Sequence, residues 1–190
     1  MLQPKPTINF VTSNLGKLRE FKHIIEPEIK VNHIKLSYLE IRSDNPEEIA
    51  RMSAEMLANK LKKAVVVEDS GLFIKALNDF PGTCSAYIHK RIGLKGIIKL
   101  MEGIKDRTCF YRSAVAYCEP RKEPISFLGE EKGKVAESIR GNFGFGHDPI
   151  FVPGGSGKTY GEMENIEEVK KFRRRAAVML RDYLLKEKRI

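Results

Sequence analysis

Short β-branched runs alternating with amphipathic helical stretches predict an α/β protein. Three stretches carry that prediction: a strand–turn–helix opening at residues 7–20 (TINFVTSNLGKLRE), a buried run at 64–69 (AVVVED), and a long apolar-striped segment at 165–186. The first passes from a short apolar strand into a helix, the last has the 3.6-residue period of a helix, and the middle one is too short and too β-branched to be one.

In the opening stretch, Ile8, Phe10 and Val11 read as a buried strand and Leu15 onward as a helix. Ser13 or Asn14 caps that helix, because a short oxygen-bearing side chain accepts from its otherwise unpaired N–H groups. The helix N-terminus favours an anion, Gly16 lets a ligand approach closely, and Lys17 adds a full charge. A phosphate seat and an ordinary well-capped turn both fit these residues.

Alternation then predicts a strand at residues 29–36 and a loop carrying Glu40. Asn45-Pro46-Glu47-Glu48 starts a helix, with Asn45 as cap and Glu48 completing a capping box. Its inward face is read as Ile49, Ala50, Met52, Met56, Leu57 and Leu61. The 64–69 run ends in Glu68 and Asp69. A carboxylate at a strand end is either a metal ligand, as Asp69 with Ser70 would be for Mg2+, or a solvated end capping the next turn.

Residues 72–77 read as a short helix and 79–82 as a turn, with a helix interrupted at Gly93 and Gly96 across 85–101. Strands follow at 108–118 and 125–128, and the sheet continues at 133–139. Residues 141–149 (GNFGFGHDP) form a pre-shaped loop in which Phe143 or Phe145 could stack on a base and Asp148 accept from it. The alternative is a glycine-rich turn whose phenylalanines cover the core. Residues 154–159 (GGSGKT) end like a Walker loop, but Val152 stands where that pattern needs glycine, so the segment is read as a mobile basic loop.

The final helix is read as continuous, capped by Asn165 and striped by Ile166, Val169, Ala176, Ala177, Leu180 and Leu184. Arg173 falls in the stripe and needs a ligand or a buried carboxylate, since burying it unpaired is very costly. Lys170, Lys171 and Arg175 read as a solvated basic face.

The 190 residues suit one domain or two closely joined lobes. With 42% hydrophobic and 31% charged residues, the chain has the composition of a soluble globular protein, and no apolar run reaches the roughly 20 residues of a membrane span. Three cysteines without a CxxC and an opening MLQPKPTINF without an apolar leader make the cytoplasm the expected location. The net charge of +9 points to an anionic partner, nucleotide or nucleic acid.

Together, TSNLGKLRE, VEDSGL, Phe80-Pro81-Gly82, FGHDPIF and GKTYGEM occur in an order that resembles the inosine/xanthosine triphosphate pyrophosphatase family, from Ile8 to about Tyr183. The resemblance implies a long, bent, mixed sheet flanked by helices, in two lobes with a central cleft, usually as a homodimer. It implies that Thr12, Ser13, Asn14 and Lys17 bind the triphosphate and Ser70 contacts substrate. It further implies that Glu40 and Asp69 hold Mg2+, with Asp69 the general base, and that Phe145, Gly146, His147 and Asp148 form the nucleoside pocket. The chain departs from the family in two places. Where the family has a lysine four residues before a Ser-His-Arg triplet, this chain has Glu168 and then Phe172-Arg173-Arg174. His147 replaces a Trp or Tyr. Arg174 matches the triplet's arginine, and Arg173 is a substitute donor to the purine 6-oxygen. The implied activity is Mg2+-dependent release of pyrophosphate from deaminated purine triphosphates. Shifted base preference and a non-catalytic nucleic-acid-binding module are the alternatives.

Overall fold

The computed structural model describes residues 5–26 and 28–187. They form an α/β protein built on a mixed sheet of seven strands among the described residues, in the order β2-β1-β3-β5-β6-β7, with β4 paired to β3. The strands are β1 (Thr7–Val11), β2 (Lys30–Ile34), β3 (Val65–Ile74), β4 (Phe80–Gly82), β5 (Thr108–Cys118), β6 (Ile125–Val135) and β7 (Phe151–Pro153). β1 runs parallel to β2 and β3, whereas β4 is antiparallel to β3 and β7 to β6. The helices are α1 (Leu15–Ile25), α2 (Pro46–Leu61), α3 (Ser85–Leu100), α4 (Ile166–Val169) and α5 (Lys171–Lys186).

The chain divides into two compact units. The first holds the chain up to Asp69, Ser113–Gly129 and the chain from Arg173 on; the second holds Ser70–Arg112 and Glu130–Phe172. In the first unit the two-residue period of the strands sorts the core into two layers. Val66, Val115 and Tyr117 pack with Phe21 and Ile24 of α1 and with Ala176, Ala177, Leu180 and Leu184 of α5. Their neighbours Val65, Val67, Ala114, Ala116 and Cys118 pack with Ala50, Ala54, Leu57 and Ala58 of α2. Each fully buried aliphatic or aromatic side chain contributes roughly 1.5–3 kcal/mol. The second unit has its own core, in which Tyr111 stacks on Phe172 and packs against Phe151.

Several sequence expectations change. β3 continues to Ile74 where a helix was expected, leaving only a 3-10 turn at Lys75–Leu77, and the expected turn includes strand β4. β6 is one unbroken strand. On α2, Met52 and Met56 are exposed, and the buried face is Ile49, Ala50, Ser53, Ala54, Leu57 and Ala58. Small side chains let the helix lie closer to the sheet than methionines would. Asn45 caps α2 through Glu47 N, while Glu48 accepts from Ser43 Oγ at 2.6 Å, so the capping box does not form. α3 breaks at Gly93 (φ +63°), as its sequence suggests, and runs on through Gly96. The final helix is two helices, because Lys170 leaves helical geometry (ψ 117°).

Candidate active site

In the first unit the sequence places a helix N-terminus beside a strand end. Asn14 is the cap: its Oδ1 accepts from Gly16 N at 2.9 Å and Lys17 N at 3.2 Å. Thr12 is buried, and its Oγ1 accepts from Asn14 N at 3.1 Å, which fixes the turn. Ser13 is exposed. Lys17 is half-buried, and its Nζ lies 2.8 Å from Glu68 Oε2 and 3.1 Å from the Glu68 carbonyl.

Glu68 is therefore no solvated strand end. It is buried, and its Oε1 also accepts from Ser113 Oγ at 2.6 Å and Arg173 Nε at 3.1 Å. Arg173 is 2% exposed, and its Nη1 binds Glu20 Oε2. Of the two partners sequence allowed Arg173, the structure supplies the buried carboxylate, twice over. In this structure its guanidinium faces two internal carboxylates. Burial by itself would raise the Glu68 carboxyl, but Arg173 and then Lys17 hold it at about 2. Burial likewise opposes the charge of Lys17, yet Glu68 and Asp69 win and its pKa is raised.

Asp69, one residue on, projects to the opposite face of β3, as strand geometry requires. It is buried, on the side where Val67 packs toward α2. The Tyr38 hydroxyl has its pKa raised by burial first, then by the charge of and a hydrogen bond with Glu40, and then by Asp69 and Glu68. Glu40, on the exposed coil after β2, and Asp69 thus both act on Tyr38. Among the described residues no group of three or more His, Cys, Asp or Glu side chains gathers as a protein-only metal cage. Two hard oxygen donors, one fixed on the sheet and one on open coil, fit Mg2+, which takes one or two carboxylates and completes its shell with waters and phosphate oxygens. Arg174, half-buried, lies in this unit.

In the second unit the glycine-rich loop forms as expected but is organised from inside. Asp148 is 1% exposed. Its Oδ2 accepts from Phe145 N at 2.7 Å and lies 2.8 Å from Lys170 Nζ, while Tyr111 OH donates to Oδ1 at 3.3 Å. Asp148 is thus the internal anchor of the loop and not an open acceptor for a base. Gly144, at φ +76°, lies where a Cβ would collide with Asp148 Oδ2. Phe143 is exposed and Phe145 half-buried. Ser70 is half-buried where β3 enters this unit, and Gly146 is in the left-handed region at φ +63°.

Lys170 is the residue that sequence reasoning missed. It is buried, with Nζ 4.4 Å from the Phe145 ring centre, because the chain breaks helix at that position. Glu131 holds the break: its Oε2 accepts from Lys171 N at 2.9 Å, Phe172 N at 3.3 Å and Tyr160 OH at 2.5 Å. The signal in sequence was Asp148 itself, a buried-loop acid in need of a cation. His147 is 3% exposed and edge-on to His89 at 5.1 Å. Burial, and secondarily His89, pushes its pKa down to about 4, so it is neutral at pH 7. The GGSGKT segment leads into a 3-10 turn (Tyr160–Glu162) and not a helix, consistent with its rejection as a Walker loop.

A parallel-strand start feeding a helix N-terminus, strand-end acids and an aromatic glycine loop define a nucleotide-handling class of α/β protein. Within it, the chain belongs to the Ham1 family, whose model matches residues 8–183. It is 46% identical over 173 residues to the dITP/XTP pyrophosphatase of Methanopyrus kandleri, covering 90% of this chain and 92% of that protein. To the dITP/XTP pyrophosphatase of Methanosarcina acetivorans it is 44% identical over 172 residues, again covering 90% and 92%. Among solved structures, the Staphylococcus aureus Ham1 protein superposes with a TM-score of 0.81 at 30% identity, over 95% of this chain and 99% of that one. A HAM1 protein from Coxiella burnetii gives 0.82 at 26% identity, with the same coverage.

Proposed function

We propose that the chain hydrolyses deaminated purine nucleoside triphosphates (dITP, ITP and XTP) between the α and β phosphates, giving the monophosphate and pyrophosphate. The observation that carries this reading is the meeting of Lys17, on the first turn of α1, with Glu68 at the strand end that also carries Asp69. The names of the relatives support the substrate class.

Water attacks the α-phosphorus and the P–O bond to the pyrophosphate breaks. Asp69, fixed on β3, accepts the water's proton. Lys17 and the N-terminal turn of α1 stabilise charge on the departing pyrophosphate. Asp69 and Glu40 would hold Mg2+. Once bound, the ion would supply charge neutralisation and acidify the attacking water. Thr12 and Asn14 shape the phosphate turn, and exposed Ser13 meets the phosphates directly. Ser70 contacts the substrate. Phe145, Gly146 and His147 form the nucleoside pocket around the Asp148 anchor. We assign the donor to the 6-oxygen to Arg174, the match to the family's arginine, since Lys170 is held by Asp148 and Arg173 by Glu20 and Glu68. An adenine 6-amino group would leave that donor unpaired, which is how such sites discriminate.

A nucleic-acid-binding module fits less well. Lys170 and Arg173, which would anchor a basic face on the final helices, are buried and spent on internal acids. The proposal also takes the active species as a cytoplasmic homodimer, and light scattering tests its mass. The central test incubates the protein with Mg2+ and dITP, XTP or dATP. Pyrophosphate from the first two and little from dATP is expected; orthophosphate as the product, or no turnover, overturns the reading.

A further inference from the structure

The buried cluster of Lys17, Glu20, Glu68, Ser113 and Arg173 lies wholly within the first unit. It holds two acids and two cations, and the charges cancel. Sharing is uneven, however. Among the described residues, Lys17 contacts Glu68, through Oε2 at 2.8 Å and the main-chain carbonyl at 3.1 Å. Arg173 bridges both acids, reaching Glu68 Oε1 at 3.1 Å and Glu20 Oε2. Ser113 adds a neutral donor to Glu68 Oε1 at 2.6 Å.

A lysine that neutralises a buried acid cannot leave it cheaply, because the stranded carboxylate costs several kcal/mol. Glu68 escapes this constraint, since Arg173 and Ser113 remain on its other oxygen when Lys17 turns away. Arg173 is itself 2% exposed, and its fork lies between two carboxylates on separate elements, α1 and β3.

We propose that Arg173 is a positioning residue that holds Glu68 as a standing counter-charge and so lets Lys17 pass from Glu68 to the phosphates of a bound ligand. This deepens the pyrophosphatase reading by assigning how its phosphate-binding lysine is released. It also separates Arg173 from base recognition.

The test compares wild type with Arg173→Lys, Arg173→Met and the doubly substituted Glu20→Gln/Arg173→Met. The double variant removes one acid with the cation, so the cluster stays neutral and the test survives if Arg173→Met fails to fold. In both Met variants Glu68 keeps Lys17 as its sole cation. Calorimetry with inorganic pyrophosphate, without metal, is expected to show binding to wild type that weakens roughly tenfold in the double variant and partly recovers in Arg173→Lys. With dITP and Mg2+, KM should rise by a similar factor, while the ratio of dITP to dATP turnover stays at its wild-type value. Pyrophosphate binding equal to wild type in the double variant, or none in wild type, overturns the proposal. So does a collapse of the dITP/dATP ratio, which would make Arg173 a base reader. Because the pyrophosphate measurement needs no turnover, failure of the enzymatic reading leaves this result separately legible.

Discussion

Glu68 in the first unit and Asp148 in the second are both buried acids with a lysine ammonium 2.8 Å away, yet their surroundings differ. Glu68 has a second cation, Arg173, on its other oxygen. Asp148 pairs with Lys170 and also accepts from a main-chain N–H and a tyrosine hydroxyl. Withdrawing Lys17 leaves Glu68 on Arg173; withdrawing Lys170 takes away the buried ammonium 2.8 Å from Asp148. The first arrangement suits a lysine that changes partners during a reaction. The second suits one that holds a loop in shape for recognition.

The largest expected effect separates chemistry from scaffolding. Asp69→Asn should lower kcat/KM for dITP by about 10^3-fold if it removes the general base, with little change in melting temperature. Undiminished turnover would end Asp69's role.

The next substitutions test the comparison directly. Lys170→Met should cost about 4 kcal/mol of stability in a urea titration because it removes a buried cation from buried Asp148, whereas Lys17→Met should cost about 1 kcal/mol because Glu68 keeps Arg173. Equal losses would mean that the two acids are alike after all.

His147 gives the second unit a pH signature. Its folded pKa of about 4 lies below the ordinary 6.5, so the unfolded chain takes up the proton first as pH falls. Its contribution is complete above about pH 6.5 and is lost as pH drops toward 4, for a total of about 3 kcal/mol at 1.36 kcal/mol per unit. Urea midpoints of His147→Phe should therefore fall less than those of wild type between pH 7 and 4.5; parallel curves would refute this. The smallest effect belongs to the phosphate turn. Asn14→Ala removes the α1 cap and should cost about 1 kcal/mol, read from the same titrations.

Much of this was legible in the chain. The Asn14 cap, the buried β3 run and the glycine loop were all announced by local chemistry that tertiary structure had no reason to override. What was hidden depended on neighbours distant in sequence. Glu68 and Asp69 are adjacent letters, but alternation sends them to opposite faces, and only the packed α1 and α5 reveal that one face holds Arg173 and Lys17. Lys170 was misread because helical periodicity was carried through a position where Glu131, 39 residues earlier (170 − 131), draws two backbone N–H groups out of register. Met52 and Met56 outranked Ala54 and Ala58 by hydrophobicity, although a helix resting on a sheet rewards small side chains.

Gly144 carries a consequence for anyone wishing to redesign what this protein accepts. Its missing side chain is the clearance that Asp148 occupies, and its backbone angle is one that other residues rarely adopt. A saturation library across the loop would find no tolerated diversity there. On the proposed reading of the nucleoside pocket, variation aimed at a new substrate belongs instead at Phe143, Phe145 and His147.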